Sequence, residues 1–219
     1  MGIYCSTSVM AIKKLNKLIP DNDICINGSV ELSSDKSLSI RSVLFASIAY
    51  GISHVKIKQP GEDAVTAIMA IKKLGIKVLK NRDQYTIFGL GIGYPTNKKK
   101  LLINCGNSGT TLRLITPLIA GSKVNAKIIG DQSLSKRPYR LEFLKEFLMN
   151  VKPNKKKFLP LLIKGHTSCI KAKIIIKKPS AQMISAATLA GISSFGETII
   201  ECPNNVCLLY TSPSPRDLY

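Results

Sequence analysis

The chain repeats itself, and this constrains its fold more than any other feature. Three segments follow one plan: a short β-like stretch, a polar turn containing serine, an apolar helix, a small-residue stop and a second β-like stretch. The first runs Val30-Glu31-Leu32-Ser33-Ser34-Asp35-Lys36-Ser37, then a helix over residues 38–50, Gly51, and a strand over 54–58. The second has a strand over 101–104, the turn Cys105-Gly106-Asn107-Ser108-Gly109, a helix over 110–120, Gly121, and a strand over 126–129. The third leads from 172–176 through Pro179-Ser180-Ala181-Gln182 into a helix over 183–190, Gly191, and a strand over 198–201. The turn serines Ser37, Ser108 and Ser180 stand 71 and 72 residues apart, a regularity that chance does not supply.

A second helix and a strand pair fill each interval. Residues 62–74 place Val65, Ile68, Met69 and Ile71 at helical spacing, closed by Gly75 as a C-cap. Residues 77–79 and 85–88 then alternate like hairpin strands. In the second repeat Pro138 suits a first helical position, Leu141, Leu144, Phe147 and Leu148 form an apolar face, and 161–163 reads as a strand. Each repeat is therefore β-α-β-α-β-β over about seventy residues. The second helices are amphipathic, as surface helices are, whereas the first helices are apolar nearly all round, which predicts burial. Three buried helices walled by sheets predict an α/β domain shaped as a barrel with helices inside.

Each interior helix opens on small polar residues that leave backbone N–H groups free, and a helix N-terminus is electropositive. Cations recur beside these turns: Lys36 and Arg41, Arg113, then Lys136-Arg137. Arginine grips a carboxylate or phosphate with two prongs, and lysine adds a mobile point charge. Taken singly, each serine is an ordinary N-cap, Gly106 and Gly109 permit a tight turn, Arg113 pairs with a carboxylate such as Asp63, and Glu62 and Asp131 are helix-start acids. The recurrence of cations at the same turn favours an anion site over capping alone.

The formal charge of +19, from 32 Lys and Arg against 13 Asp and Glu, fits anionic substrates or nucleic acid. The excess is mostly lysine, 26 against 6 arginines, in a chain rich in Ile and Asn, as AT-biased codons produce. Lysine runs at 98–100 and 155–157 sit beside turn-forming Asn and Pro, as solvated loops do. No aromatic-interleaved basic stretch is present and there is no Trp to stack bases, so nucleic-acid binding is the weaker reading. The six cysteines (Cys5, Cys25, Cys105, Cys169, Cys202, Cys207) form no C-x-x-C pair, and with only His54 and His166 beside them a zinc site lacks partners. Reduced thiols in a cytosolic protein are expected. The start Met1-Gly2-Ile3-Tyr4-Cys5-Ser6 fits the short myristoylation pattern only formally, and no signal peptide is evident. Apolar runs such as 43–46 and 114–120 are far shorter than the roughly 18 residues of a membrane span, so no membrane association is expected.

Four motifs carry a resemblance. Asp35-Lys36-Ser37-Leu38-Ser39-Ile40-Arg41, Gly106-Asn107-Ser108-Gly109-Thr110-Thr111-Leu112-Arg113, Ser133-Leu134-Ser135-Lys136-Arg137-Pro138 and Pro179-Ser180-Ala181-Gln182 resemble, in order and spacing, the signatures of the 5-enolpyruvylshikimate-3-phosphate synthases over about residues 24–205. The resemblance implies an inside-out α/β barrel domain of the enolpyruvyl-transferase type, with βαβαββ repeats at about 24–97, 98–168 and an incomplete 169–205. It implies transfer of the enolpyruvyl group of phosphoenolpyruvate to the 5-hydroxyl of 3-phosphoshikimate, releasing phosphate, in the cytoplasm, or in a plastid for a plant or alga. It implies no metal or organic cofactor, two small-molecule partners and a usually monomeric protein.

By the same resemblance Ser37 and Arg41 hold the shikimate carboxylate, and Lys36 lies between both substrates in a supporting role. Gly109 and Arg137 bind phosphoenolpyruvate, with Asn107 and Thr110 shaping the loop. Ser180 and Ala181 contact the shikimate phosphate, and Gln182 touches both ligands. Ile184 stands where many members carry Lys, which removes one cation near the substrates. In the family the acid–base carboxylate and further cations come from a second domain.

The third repeat loses its pattern after Glu201-Cys202-Pro203-Asn204-Asn205, where Pro213 and Pro215 deny an expected helix. Residues 207–217 resemble the translation of a sequencing-library adaptor, which predicts a non-native tail over 206–219, and residues 1–23 read as a leading segment. An N-terminal-half domain of this kind is expected to be inactive by itself and marginally stable. Two other readings compete: a basic nucleic-acid-binding domain, and an enolpyruvyl transferase for another acceptor. The Lys36-Ser37 pair argues against the latter.

Overall fold

The computed structural model describes residues 31–94, 100–154, 157–176 and 180–202. The chain divides into two units, Met1–Ser33 and Ser34–Tyr219. Of the first, only residues 31–33 are described, and they carry neither helix nor strand, so the first repeat's opening strand is not found there. The leading segment, Val30, Pro179 and the expected tail lie outside the described residues.

Within the second unit the first repeat runs α1 (Lys36–Ile48), β1 (Tyr50–Lys56), α2 (Glu62–Lys73), β2 (Lys77–Asn81) and β3 (Gln84–Leu90). The second runs β4 (Leu101–Asn104), α3 (Gly109–Ala120), β5 (Asn125–Ile129), α4 (Gln132–Ser135), a 3₁₀ segment (Glu142–Phe147), β6 (Asn150–Asn154) and β7 (Phe158–Lys164). The third holds β8 (Lys173–Ile175), α5 (Ala181–Ile192) and β9 (Ile199–Glu201). Each repeat has its own sheet: antiparallel β1-β3-β2, mixed β4-β5-β7-β6, and parallel β8-β9. In the second and third repeats a parallel strand pair, β4 with β5 and β8 with β9, brackets the interior helix. This is the opening β-α-β part of the repeat expected from the sequence.

Burial of the interior helices is graded. In α3 ten of twelve residues are buried, including Leu112, Leu114, Ile115, Leu118 and Ile119. Helix α1 buries Ile40, Val43 and Leu44 but exposes parts of Leu38 and Phe45, and α5 leaves Ile192 exposed. Only α3 is therefore apolar and covered on every side. Gly191 does not stop α5, which runs on to Ile192 and ends at Ser193. In α2 the buried stripe is Ala64, Ala67, Ile68 and Ile71, while Val65 and Met69 lie on the exposed side. Gly75, at φ +95, follows that helix as expected of a left-handed stop.

The second helix expected from Pro138 onward does not form. After the four-residue α4 the chain passes Arg140 at φ +57, which interrupts any helix, and then makes the 3₁₀ segment, closed by Leu148 at φ +59. Leu141, Leu144 and Phe147 are still buried, so the apolar pattern reports burial correctly while the backbone takes a tighter path. Leu148 is pushed out to solvent. No helix among the described residues is long and apolar enough to cross a membrane.

Candidate functional site

The three interior helices start in the same way, and the details differ from the serine alignment. Their N-caps are Asp35, Ser108 and Ser180, 73 and 72 residues apart. Asp35 Oδ1 accepts from the Leu38 N–H at 2.7 Å, and Ser108 Oγ accepts from the Thr111 N–H at 3.2 Å. Ser180 sits at the cap with no side-chain bond to its helix, so its hydroxyl is not spent on capping. Ser37 is not a cap at all; it lies one residue inside the start of α1, as Thr110 and Gln182 do in α3 and α5. The capping reading thus holds in full for Ser108, in position but not in bonding for Ser180, and fails for Ser37. The first two helical residues, whose N–H groups find no intrahelical acceptor, are Lys36 and Ser37, Gly109 and Thr110, and Ala181 and Gln182.

Two arginines reach back to these starts, as helical side chains tend to. Arg41 Nη1 donates to the Ser37 carbonyl at 3.3 Å, and Arg113 Nη1 to the Gly109 carbonyl at 3.3 Å. Arg41 is only 2 % exposed, and its other contact is Nη2 to Ser185 Oγ at 3.4 Å. Its two hydrogen bonds are long, and no carboxylate among the described residues answers the buried charge. Ser185 in turn donates to the Ala181 carbonyl at 2.7 Å, which brings α1 to the first turn of α5.

Arg113 joins the other two helices. Its Nη1 donates to Gln182 Oε1 at 2.9 Å and its Nη2 to the Pro138 carbonyl at 3.4 Å, while Gln182 Nε2 donates to Thr110 Oγ1 at 2.8 Å. Burial, and then the charges of Arg140 and Arg137, hold its guanidinium below the usual arginine range. A Cβ at Gly109 would stand 2.9 Å from Arg113 Nη1, so glycine gives the guanidinium room. Arg137 Nη2 donates to Asn107 Oδ1 at 2.9 Å and to Ser133 Oγ at 2.8 Å, fastening the turn after α4 to the glycine-rich loop. The Asp131 N–H donates to the Gly106 carbonyl at 2.9 Å and draws the same two segments together.

Gly109, Thr110, Arg113 and Gln182 thus form one bonded group, Asn107, Ser133 and Arg137 a second, and Ser37, Arg41 and Ser185 a third beside Ala181. Lys36 bonds to none of them. Its Nζ is 3.2 Å from Asp63 Oδ2 on the first turn of α2, so Asp63 belongs to Lys36, and the alternative in which it pairs with Arg113 falls away. Ile184 packs half-buried against the core. The Cys105 thiol, at the foot of the glycine-rich loop, is fully buried and pushed up to about 12 by desolvation, so it is an inert packing group at neutral pH. Sequence reading passed over Ser185. It stands five residues after its N-cap, as Arg113 does, and aligning the repeats on the caps would have found it.

A family model described as EPSP synthase (3-phosphoshikimate 1-carboxyvinyltransferase) matches residues 22–210. A 3-phosphoshikimate 1-carboxyvinyltransferase of Ruthia magnifica is 33% identical over 189 residues, 85% of this chain and 43% of the relative. One from Bacillus cereus is 34% identical over 183 residues, covering 82% of this chain and 42% of the relative. A solved EPSP synthase from Acinetobacter baumannii superposes with a TM-score of 0.72 at 31% identity, over 78% of this chain and 39% of that one. The chain spans about two fifths of the length of these relatives.

Proposed function

This chain belongs to the EPSP synthase family, and from that premise we propose that its interior-helix starts form the half-site for 3-phosphoshikimate and phosphoenolpyruvate in an enolpyruvyl transfer. The transfer makes a C–O bond between the 5-hydroxyl of 3-phosphoshikimate and C2 of phosphoenolpyruvate, passes through a tetrahedral ketal, and expels inorganic phosphate. Both substrates are polyanions. The observation that carries the reading is Arg41: a guanidinium buried to 2 % with no carboxylate partner among the described residues is a site waiting for one.

In this reading Ser37 and Arg41 take the shikimate carboxylate, while Ser180, Ala181 and Gln182 take its phosphate through N–H groups and the uncommitted serine hydroxyl. Gly109, Thr110, Asn107 and Arg137 take phosphoenolpyruvate, with Gln182 at the junction. Lys36 reaches the space between the ligands on leaving Asp63, an exposed pair that holds it by no more than about 1 kcal/mol. Fixed cations and N–H groups need no reorganisation as charge shifts towards the departing phosphate, so the cradle lowers the barrier electrostatically. The proton transfers need an acid–base group, which this reading assigns to the part of the relatives' length that the chain does not span. A cytoplasmic, monomeric setting belongs to the same reading.

Calorimetric titration with 3-phosphoshikimate at fixed ionic strength tests it. We expect saturable binding that shikimate, lacking the phosphate, reproduces at least about tenfold more weakly, the loss of charge-assisted bonds. Equal binding of the two, or no binding of either with salt-dependent retention on DNA, would overturn the reading.

A further inference from the structure

The stretch that follows Arg137 holds a further cation, Arg140, outside the four motifs. Arg140 is exposed and makes no hydrogen bond or ion pair among the described residues. Its backbone lies at φ +57, a left-handed conformation that is unfavourable for a side chain of this kind. Its neighbours fix it there: Tyr139 and Leu141 are 5 % and 1 % exposed, and the Tyr139 N–H donates to the Lys157 carbonyl at 3.0 Å. With both flanks drawn inward, Arg140 is left exposed, two residues after the Pro138 carbonyl that Arg113 holds. The nearness of the two guanidinia is also felt electrostatically, since Arg140 is the stronger of the two cations depressing Arg113. Arg113, Arg137 and Arg140 therefore gather at one place. Among the described residues the hydrogen-bond partners of Arg113 and Arg137 are all neutral: Gly109, Gln182 and Pro138, then Asn107 and Ser133. Glu142, the acid next along the chain, lies near Tyr139 and pairs with none of the three.

Three like charges kept together repel one another, and that repulsion is relieved by an anion carrying more than one negative charge. We propose that Arg140 is a third anion-binding guanidinium of this site, closing with Arg137 on the phosphate of a phosphate monoester. The inference rests on the half-site reading and extends it by one residue.

Inorganic phosphate is the probe, titrated into the full chain at constant ionic strength and followed by calorimetry, with thermal unfolding measured in parallel. Arg137→Gln serves as the reference, and Arg140→Gln and Arg140→Gly are the tests. Arg140→Gln and Arg137→Gln are each expected to weaken phosphate binding by about tenfold or more, the worth of one charge-assisted contact. Arg140→Gly should weaken it equally while leaving the thermal midpoint unchanged or higher, because glycine takes the left-handed backbone without strain. Weakening by Arg137→Gln alone would overturn the role of Arg140 and leave the half-site reading standing. A fall in midpoint in both Arg140 variants that tracks the lost affinity would assign the residue to the fold and overturn the proposal. Absence of saturable binding by the unsubstituted chain would remove the half-site reading and the proposal with it.

Discussion

Arg41→Met is expected to leave the chain at least as stable as the unsubstituted form while weakening 3-phosphoshikimate binding about a hundredfold. The stability half follows from the cost of burying a charge. Arg41 is 2 % exposed, its two hydrogen bonds measure 3.3 and 3.4 Å, and their acceptors are neutral oxygens of Ser37 and Ser185. Such a group loses hydration that long neutral bonds do not restore, and methionine fills a similar volume without the penalty. The neighbours Ile40, Val43 and Leu44 already make that surrounding apolar. The binding half follows from two charge-assisted bonds to a carboxylate, each worth about 1.5–3 kcal/mol. Urea unfolding and ligand titration on the same preparation separate the two effects. A variant that unfolds more easily and binds normally would show that Arg41 serves the fold.

The second large effect concerns the platform on which the glycine-rich loop stands. Gly165 follows β7 and meets the turn after α3 so closely that a Cβ there would collide with the Ser122 and Val124 carbonyl oxygens and stand 2.7 Å from that of Ile119. Its own N–H donates to the Val124 carbonyl at 3.1 Å, and the next N–H, of His166, donates to that of Ala120 at 3.1 Å. These are backbone atoms at the closed end of α3 and cannot swing aside as a side chain would. Gly165→Ala should therefore lower the unfolding free energy by about 3 kcal/mol, the upper end for overpacking a well-filled site. A lower urea midpoint with unchanged slope is the expected signature. An unchanged midpoint would mean that α3 is not pinned to its sheet at this point.

Much of this molecule was legible in its residues because repetition supplies its own control. A single apolar run such as 110–120 is ambiguous. Three at even spacing, each entered through a small polar turn, specify a unit, and the structure has a helix at each place. The parts that were not legible share a physical cause. The segment 138–148 has the right apolar positions for a helix, and burial of Leu141, Leu144 and Phe147 honours them, but Arg140 and Leu148 adopt left-handed backbone that no periodicity reports. The pairing of Lys36 with Asp63 escaped because a surface ion pair depends on how two helices meet, not on any spacing within one. The serine alignment was off by two residues in the first repeat, since aspartate caps as well as serine does. The site itself was read largely from motifs. What the structure adds is which bonds tie its members together and that Arg41 lacks a counter-charge among the described residues.

The most direct test of a shared cradle follows backbone amides by ¹⁵N–¹H correlation as 3-phosphoshikimate and phosphoenolpyruvate are added together to the labelled chain. The account predicts that Lys36, Ser37, Gly109, Thr110, Ala181 and Gln182 shift along one saturation curve. Shifts confined to a single helix start, or spread over surface lysines with all six unmoved, would contradict it.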